Sequence, residues 1–477
     1  MRFTAMSRFI FGAIFLAIAF CLLGLNGNSS CVTEAIESGP LVAAISGTPF
    51  DERTDPIAPV AFTLEEFAAR RSRVLEALGD DIAVLYGADA REDYRRPRQD
   101  NNFYYLTGEQ RTGAALLLDG RAKRATLFLT RVRNEQGAES EQKRTGIERV
   151  MSASSFPEAV KSAAEGCKRV HLPLWPGEGN AQARDSFRDF RRNPNSKPPA
   201  MPADRRPSRV QDFRAGVLEI TGPLEVSDLE KIIDPMRRIK SPAEIAAMRQ
   251  AGRIGAIAIA DAIRATRPGI LERELEGVCE LAYLRHGAHA SAWTTIVASG
   301  PNITEFHYFE NSRRIEPGDM ILIDAGPDYQ YYTSDITRVW PSSGPYPDRY
   351  RELYDKLLAV HKATVAAVRP GVTYYQLTKV MREAAREQGI EKYIVGGAGH
   401  YTGMAPHDVG DMAAPFVPGV VFNVEPLLLI SAEGLHIRFE DTVLCTESTP
   451  EVLTPLDILP WEADKLLEIR DQKQPSP

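Results

Sequence analysis

Cysteine is scarce. The 477-residue chain has five, and beyond residue 31 only Cys167, Cys279 and Cys445 remain, an odd number without a C-x-x-C spacing. That excludes a disulfide framework and a zinc–thiolate site, and the cysteines read as structural. A strong charge of either sign is also missing: 57 Lys and Arg against 64 Asp and Glu leave a formal −7, which predicts no nucleic-acid partner. The basic stretch RRNPNSKPPAMPADRRPSR (191–209) is broken by prolines and by Asp204 and reads as a solvated loop. One long apolar run stands out. Arg2 and Arg8 precede FIFGAIFLAIAFCLLGL (9–25), and NGNSS follows, the order of a signal peptide's three regions at a length approaching that of a membrane span. The expectation is export, periplasmic or secreted. Residues 1–30 then act as a signal peptide or membrane anchor, with residues 9–25 as the alternative tether. Neither Cys21 nor Cys31 sits in a good lipoprotein box.

What remains is long for a single core and suggests two domains. From about residue 60 to 222 the pattern is mixed: FTLEEFAARRSRVLEAL reads as an amphipathic helix capped by Thr63, DIAVLYG as a buried strand, and GAALLLDG with RATLFLT as a hairpin. A second domain, 229–460, opens with a long helix. Ser241 is its N-cap, Pro242 its first residue and Glu244 the partner in a capping box, and Pro268-Gly269 stops it. Residues 461–477 form a tail.

The second domain repeats itself at an offset of roughly a hundred residues. RPGILERELEGVCELAYLRHG (267–287) aligns with RPGVTYYQLTKVMREAAREQG (369–389), and EPGDMILID (316–324) with VPGVVFNVE (417–425), which sets Asp324 on Glu425. Each copy brings a second acid in the following strand-like segment, Asp335 in YTSDITR and Glu440 in GLHIRFEDTVL. A helix–helix–strand–strand unit used twice would aim two carboxylates per copy at a shared centre. In LHIRFED, a period of two puts His436, Arg438 and Glu440 on one face and Ile437 and Phe439 on the other. Carboxylates gathered this closely repel by several kcal/mol per close pair at low dielectric. Two divalent cations, bridged by two of the acids, would balance the four charges.

A nitrogen ligand is expected among the histidines. His400 lies in the glycine-rich GGAGHYTGMAPHDVG (396–410), where backbone can approach a site closely; His407 follows seven residues on, and His307 holds about the equivalent place in the first half. His171 and His361 read as ordinary, and His286 and His289 as surface residues.

These residues resemble the pita-bread metallopeptidases, in their aminopeptidase P and prolidase branch. RQDNNFYYLTG (98–108) is typical of the N-terminal domain there, and RRIKSPAEIAAMRQA of the entrance to the catalytic domain. The resemblance implies an α+β fold: a C-terminal pita-bread (creatinase/aminopeptidase) domain with an internal pseudo-twofold repeat, preceded by a smaller α/β domain. It implies five metal ligands, Asp324, Asp335, His400, Glu425 and Glu440, of which Asp335 and Glu440 bridge. Two ions about 3.5–4 Å apart, most readily Mn²⁺ in so oxygen-rich a site, would hold a hydroxide between them. Glu425 becomes the proton shuttle, His307 and His407 stabilise the tetrahedral intermediate and orient the substrate, and Arg438 fixes ligand geometry or meets substrate charge. The implied activity is release of an N-terminal residue ahead of proline by a homo-oligomer, dimer or tetramer. An Xaa-Pro dipeptidase is the alternative, and a metal-free binding protein on the same fold a third reading. One position departs from the family: the histidine usually found four residues before the ligand is Gly396, which puts proline selectivity, not the metal site, in question. His436 either packs at the start of its strand or supplies the missing donor.

Overall fold

A computed structural model describes residues 62–89, 96–174 and 209–472; the leader, most of the 191–209 loop and the last five residues lie outside that set. Among the described residues no helix is long and apolar enough to cross a membrane.

The N-terminal part is a sheet in the order β4-β3-β2-β1-β5-β6. Its strands are β1 (Ile82–Tyr86), β2 (Ala114–Asp119), β3 (Arg124–Leu129), β4 (Arg149–Ser152), β5 (Arg169–Leu172) and β6 (Glu225–Asp228). β2 and β3 form the expected hairpin, and β1 pairs with β5 in parallel. β6 carries the sheet six residues past Gly222, where the sequence pattern ends that region. The helices are α1 (Leu64–Leu78), α2 (Asn101–Thr107), α3 (Glu135–Thr145), α4 (Phe156–Ala164) and α5 (Arg209–Thr221). Thr63 caps α1 as expected, its side chain accepting from Glu66 N.

After α6 (Glu230–Arg238), the capping box of Ser241 and Glu244 starts α7 (Pro242–Ala265), which stops at Thr266, just ahead of Pro268-Gly269. The repeat is visible as matched helix pairs: α7 with α8 (Glu272–Arg285), and α9 (Asp348–Ala366) with α10 (Tyr374–Glu387). In the first half, β7 (Ala290–Ser291) and β10 (Pro327–Asp328) make a short pair beside a sheet of β8 (Ile296–Ser299), β9 (Met320–Ala325) and β11 (Ile336–Pro341). In the second, β12 (Ile394–Val395), β15 (Leu427–Ile430) and β16 (Leu435–Arg438) form one sheet. The other joins β13 (Gly399–Tyr401), β14 (Val421–Val424), β17 (Asp441–Leu444) and β18 (Glu451–Val452). One isolated β-bridge joins the halves, Thr337 N donating to Glu440 O at 3.2 Å, alongside contacts such as Thr333 N to Gly403 O and the Arg338–Asp441 pair. The main apolar core lies under these sheets, while a second core mixes α1 and α2 with Met248, Tyr331, Tyr332 and Met404.

LHIRFED is not one strand. β16 pairs with β15 and ends at Arg438, and β17 starts at Asp441 against β14. Phe439 and Glu440 are the step between sheets. Alternation along the sequence counts side chains but cannot see that the hydrogen-bond partner changes.

Candidate active site

Asp324 sits near the end of β9, Asp335 just before β11, His400 in β13, Glu425 just after β14 and Glu440 just before β17. Apart from His400, each donor lies at or beside a strand end. Gly399 lets β13 lie against β14: with φ +135, a Cβ there would stand 1.8 Å from Asn423 O.

The side chains converge. His400 Nε2 stands 3.2 Å from Glu440 Oε1, 3.6 Å from Asp335 Oδ2 and 3.9 Å from Glu425 Oε2. Ligand atoms of Asp324, Asp335 and Glu440 lie within 4.8 Å of one another, as do those of His400, Glu425 and Glu440, and those of Asp335, His400 and His407. Asp335 and Glu440 therefore occupy the middle. The His407 ring stacks on His400 at 3.8 Å, nearer than a flanking residue need be. His307 is exposed and stacked on Phe309.

One cation stands among the acids. Arg438, buried, donates to Asp324 Oδ2 at 2.6 Å and to Glu425 Oε1 at 3.4 Å. It is not enough for four carboxylates. Burial raises Asp324, with Glu440 adding to the rise and Arg438 opposing it. Burial, then the charges of Glu440 and Asp324, raise Asp335 far above the carboxylate range. Burial and Glu440 push Glu425 up to about 8. Glu440 goes the other way, to about 2, because the hydrogen bond from His400 and the charge of Arg438 outweigh its burial.

Divalent ions fit this donor set. Asp324 Oδ1 and Asp335 Oδ1 are buried without a donor, and a buried acceptor without a partner costs about 1–3 kcal/mol unless something positive answers it. Around these oxygens the neutral partners are in place: Thr337 Oγ1 and Asn423 Nδ2 donate to Glu440 at 2.8 and 3.0 Å. Asp441, next to Glu440, accepts from Arg338, His361 and Trp461 and is fully buried. His361 is thus part of the site's support and not an ordinary helix residue; its four-residue spacing from Leu357 and Val365 on a buried face was the available signal. His286 is also buried, contrary to a surface placement, because it closes the C-terminus of α8.

The centre opens on a cavity of about 440 Å³, lined by His400, His407, Glu425, Phe306, Tyr374 and the Gly396-Gly397 backbone among others. Gly396 has φ +75. His436 does not line the cavity: its Nδ1 donates to Ile303 O at 2.6 Å, and its ring meets Phe306 edge-on. The structure thus places it in packing, not on the substrate side.

Paired acids at strand ends around a buried imidazole, with oxygens left for cations and a cavity alongside, define a metal-dependent hydrolase. Residues 246–447 match metallopeptidase family M24, and residues 67–171 match the aminopeptidase P N-terminal domain. The chain is 30% identical over 461 residues to the Xaa-Pro aminopeptidase of Escherichia coli (strain K12), covering 86% of this chain and 99% of that one. It is 33% identical over 251 residues to the Xaa-Pro dipeptidase of Pyrococcus furiosus, covering 52% and 70%. Among solved structures, a zinc-substituted E. coli aminopeptidase P in complex with product superposes with a TM-score of 0.71 at 26% identity, covering 87% of this chain and all of that one. The chain belongs to metallopeptidase family M24, in its aminopeptidase P branch with the pita-bread fold, and is a hydrolase.

Proposed function

We propose that this enzyme is an aminopeptidase that removes the N-terminal residue of peptides with proline in second position, using two divalent ions. The observation that carries the reading is the convergence of two acids from each half of the repeat on His400, beside a cavity that admits a peptide end. Asp335 and Glu440, central in the cluster, would bridge the ions; Asp324 would complete one site, and His400 with Glu425 the other. When bound, the ions supply an activated water and polarise the scissile carbonyl. The oxygen-rich donor set favours Mn²⁺, while a zinc-substituted relative supports room for other divalent metals.

The chain's own groups do the rest. Arg438 holds Glu425 Oε1, which leaves Oε2, on the side of His400, to take the water's proton and return it to the departing nitrogen. His407, stacked beside His400 and lining the cavity, donates to the developing oxyanion. His307 meets the substrate from the exposed side.

The match to an Xaa-Pro aminopeptidase over 86% of this chain, against 52% for the dipeptidase, supports this reading over a dipeptidase. A panel of Xaa-Pro dipeptides, Xaa-Pro-Xaa tripeptides and proline-free peptides, assayed with added Mn²⁺, tests it. Turnover of tripeptides above dipeptides is expected; cleavage of dipeptides alone would establish the alternative.

A further inference from the structure

The segment RQDNN at the start of α2 is remote in sequence from the metal centre, yet its side chains end on the loop that carries His407. Asp100 caps α2 by accepting from Phe103 N, and every residue of the helix is buried. Asn101 Nδ2 donates to Met404 O at 3.1 Å, and Arg98 Nη2 reaches the same oxygen at 3.4 Å. Arg98 is itself held by Asn101 Oδ1 and by Asp328. Asn102 Oδ1 accepts from Arg237 Nη1 at 2.8 Å, and the other arm of that guanidinium pairs with Asp408. Asp408 follows His407 directly and accepts from Met404 N at 2.9 Å through its second oxygen.

The Met404 side chain is packed in the core shared with α1 and α2, which anchors the loop through apolar burial as well. Within the loop, Thr402 Oγ1 donates to Pro406 O at 2.9 Å, and Asp408 N to Tyr401 O at 2.8 Å. Both ends of the His407 turn are thus fastened to the N-terminal domain, one through Asn101 and one through Asn102. Arg98, Asn101, Asn102, Arg237 and Asp408 are all buried. Buried polar groups held by this many hydrogen bonds favour one geometry, because an alternative leaves their donors and acceptors unmet.

We propose that Asn101 and Asn102 are positioning residues for catalysis: through Met404 and through the Arg237–Asp408 pair they set the His407 ring against His400. The inference rests on the role of His407 in the proposed function.

The two amides work in opposite senses, which makes the test specific. Asn102 acts as an acceptor, so Asn102→Asp keeps its contact, while Asn102→Ala strands Arg237. Asn101 accepts from Arg98 but reaches the loop as a donor to Met404 O, so Asn101→Asp keeps the Arg98 contact yet sets a carboxylate against the Met404 carbonyl and loses the hold on the loop as Asn101→Ala does. With a tripeptide substrate and the metal-loaded full chain, Asn102→Ala should lower kcat about tenfold or more at near-constant KM and metal content. Asn102→Asp should recover most of the loss, and Asn101→Asp should recover none. In a His407→Ala background, neither alanine change should cost further rate.

Independent, additive losses in that background would overturn the proposal, as would normal kcat in both alanine variants. If Asn101→Ala does not fold, the Asn102→Ala and Asn102→Asp pair decides alone. Should the wild type cleave no peptide, the functional reading fails. The positioning claim is then read from the His407 imidazole resonance in ¹⁵N-histidine-labelled protein, assigned by its loss in His407→Ala: it should shift in Asn102→Ala and return in Asn102→Asp, and an unmoved resonance would refute it.

Discussion

Glu425 differs from the other three acids in its access. Its side chain keeps 21% exposure while that of Glu440 keeps 2%, so it alone of the pair can meet a substrate in the cavity and still reach His400. Glu425→Gln should leave a folded protein with kcat reduced about 10²–10⁴-fold. Near-normal turnover, measured with thermal melting to verify folding, would remove it from the mechanism. His436 makes the opposite case. Burial, and then the charge of Arg438, push it down to about 3, so it is a neutral donor to Ile303 O. His436→Ala should cost about 1–3 kcal/mol of stability in denaturant titration and change kcat/KM by less than threefold; a tenfold fall would return the residue to the substrate side. Restoring an imidazole at Gly396 is also less simple than the sequence suggests, because φ +75 is a backbone conformation a histidine adopts only with strain.

At the scale of elements, the step at Phe439–Glu440 carries Glu440 from one sheet to the next, and Asp441 pins it. Arg338 is fully buried, and its carboxylate partner is Asp441. Removing that partner leaves a guanidinium in the core, so Asp441→Ala should destabilise the fold by about 3–5 kcal/mol. Equilibrium unfolding measures it, and a loss under 1 kcal/mol would mean that Arg338 finds solvent. Helices, caps and the hairpin were legible beforehand because capping boxes and periodicity are local. The acids were legible for a different reason: Asp324 and Glu425 fall in register through the repeat, and chance does not preserve register. Thr337, Asn423 and His361 were not, since neutral donors and a lone histidine carry no pattern until the chain is folded around them. The Asn101–Met404 and Asn102–Arg237 contacts were hidden too, because they join segments about 300 and 135 residues apart.

For the whole molecule, the acids oppose the fold that gathers them. Ions that bind the folded chain and not the unfolded one stabilise it by mass action, about 2.7 kcal/mol for each site at a hundred times its dissociation constant. Prolonged chelation should therefore lower the melting temperature, and re-addition of Mn²⁺ should restore it together with activity. A midpoint indifferent to chelator and metal would contradict ions at these residues.

The bridge between Thr337 and Glu440 also has a bearing on the order of events as the chain folds. It closes a loop of roughly a hundred residues, and each half by itself holds only two of the acids. Local helix pairs and hairpins can form early, whereas this contact must wait until both halves have condensed. A nascent chain is therefore a poor trap for metal until it is nearly complete. Ion uptake becomes a late checkpoint: a chain stalled or cut between β11 and β16 carries Asp324 and Asp335 but lacks Glu440, and metal retention on a sizing column should report which molecules have finished folding.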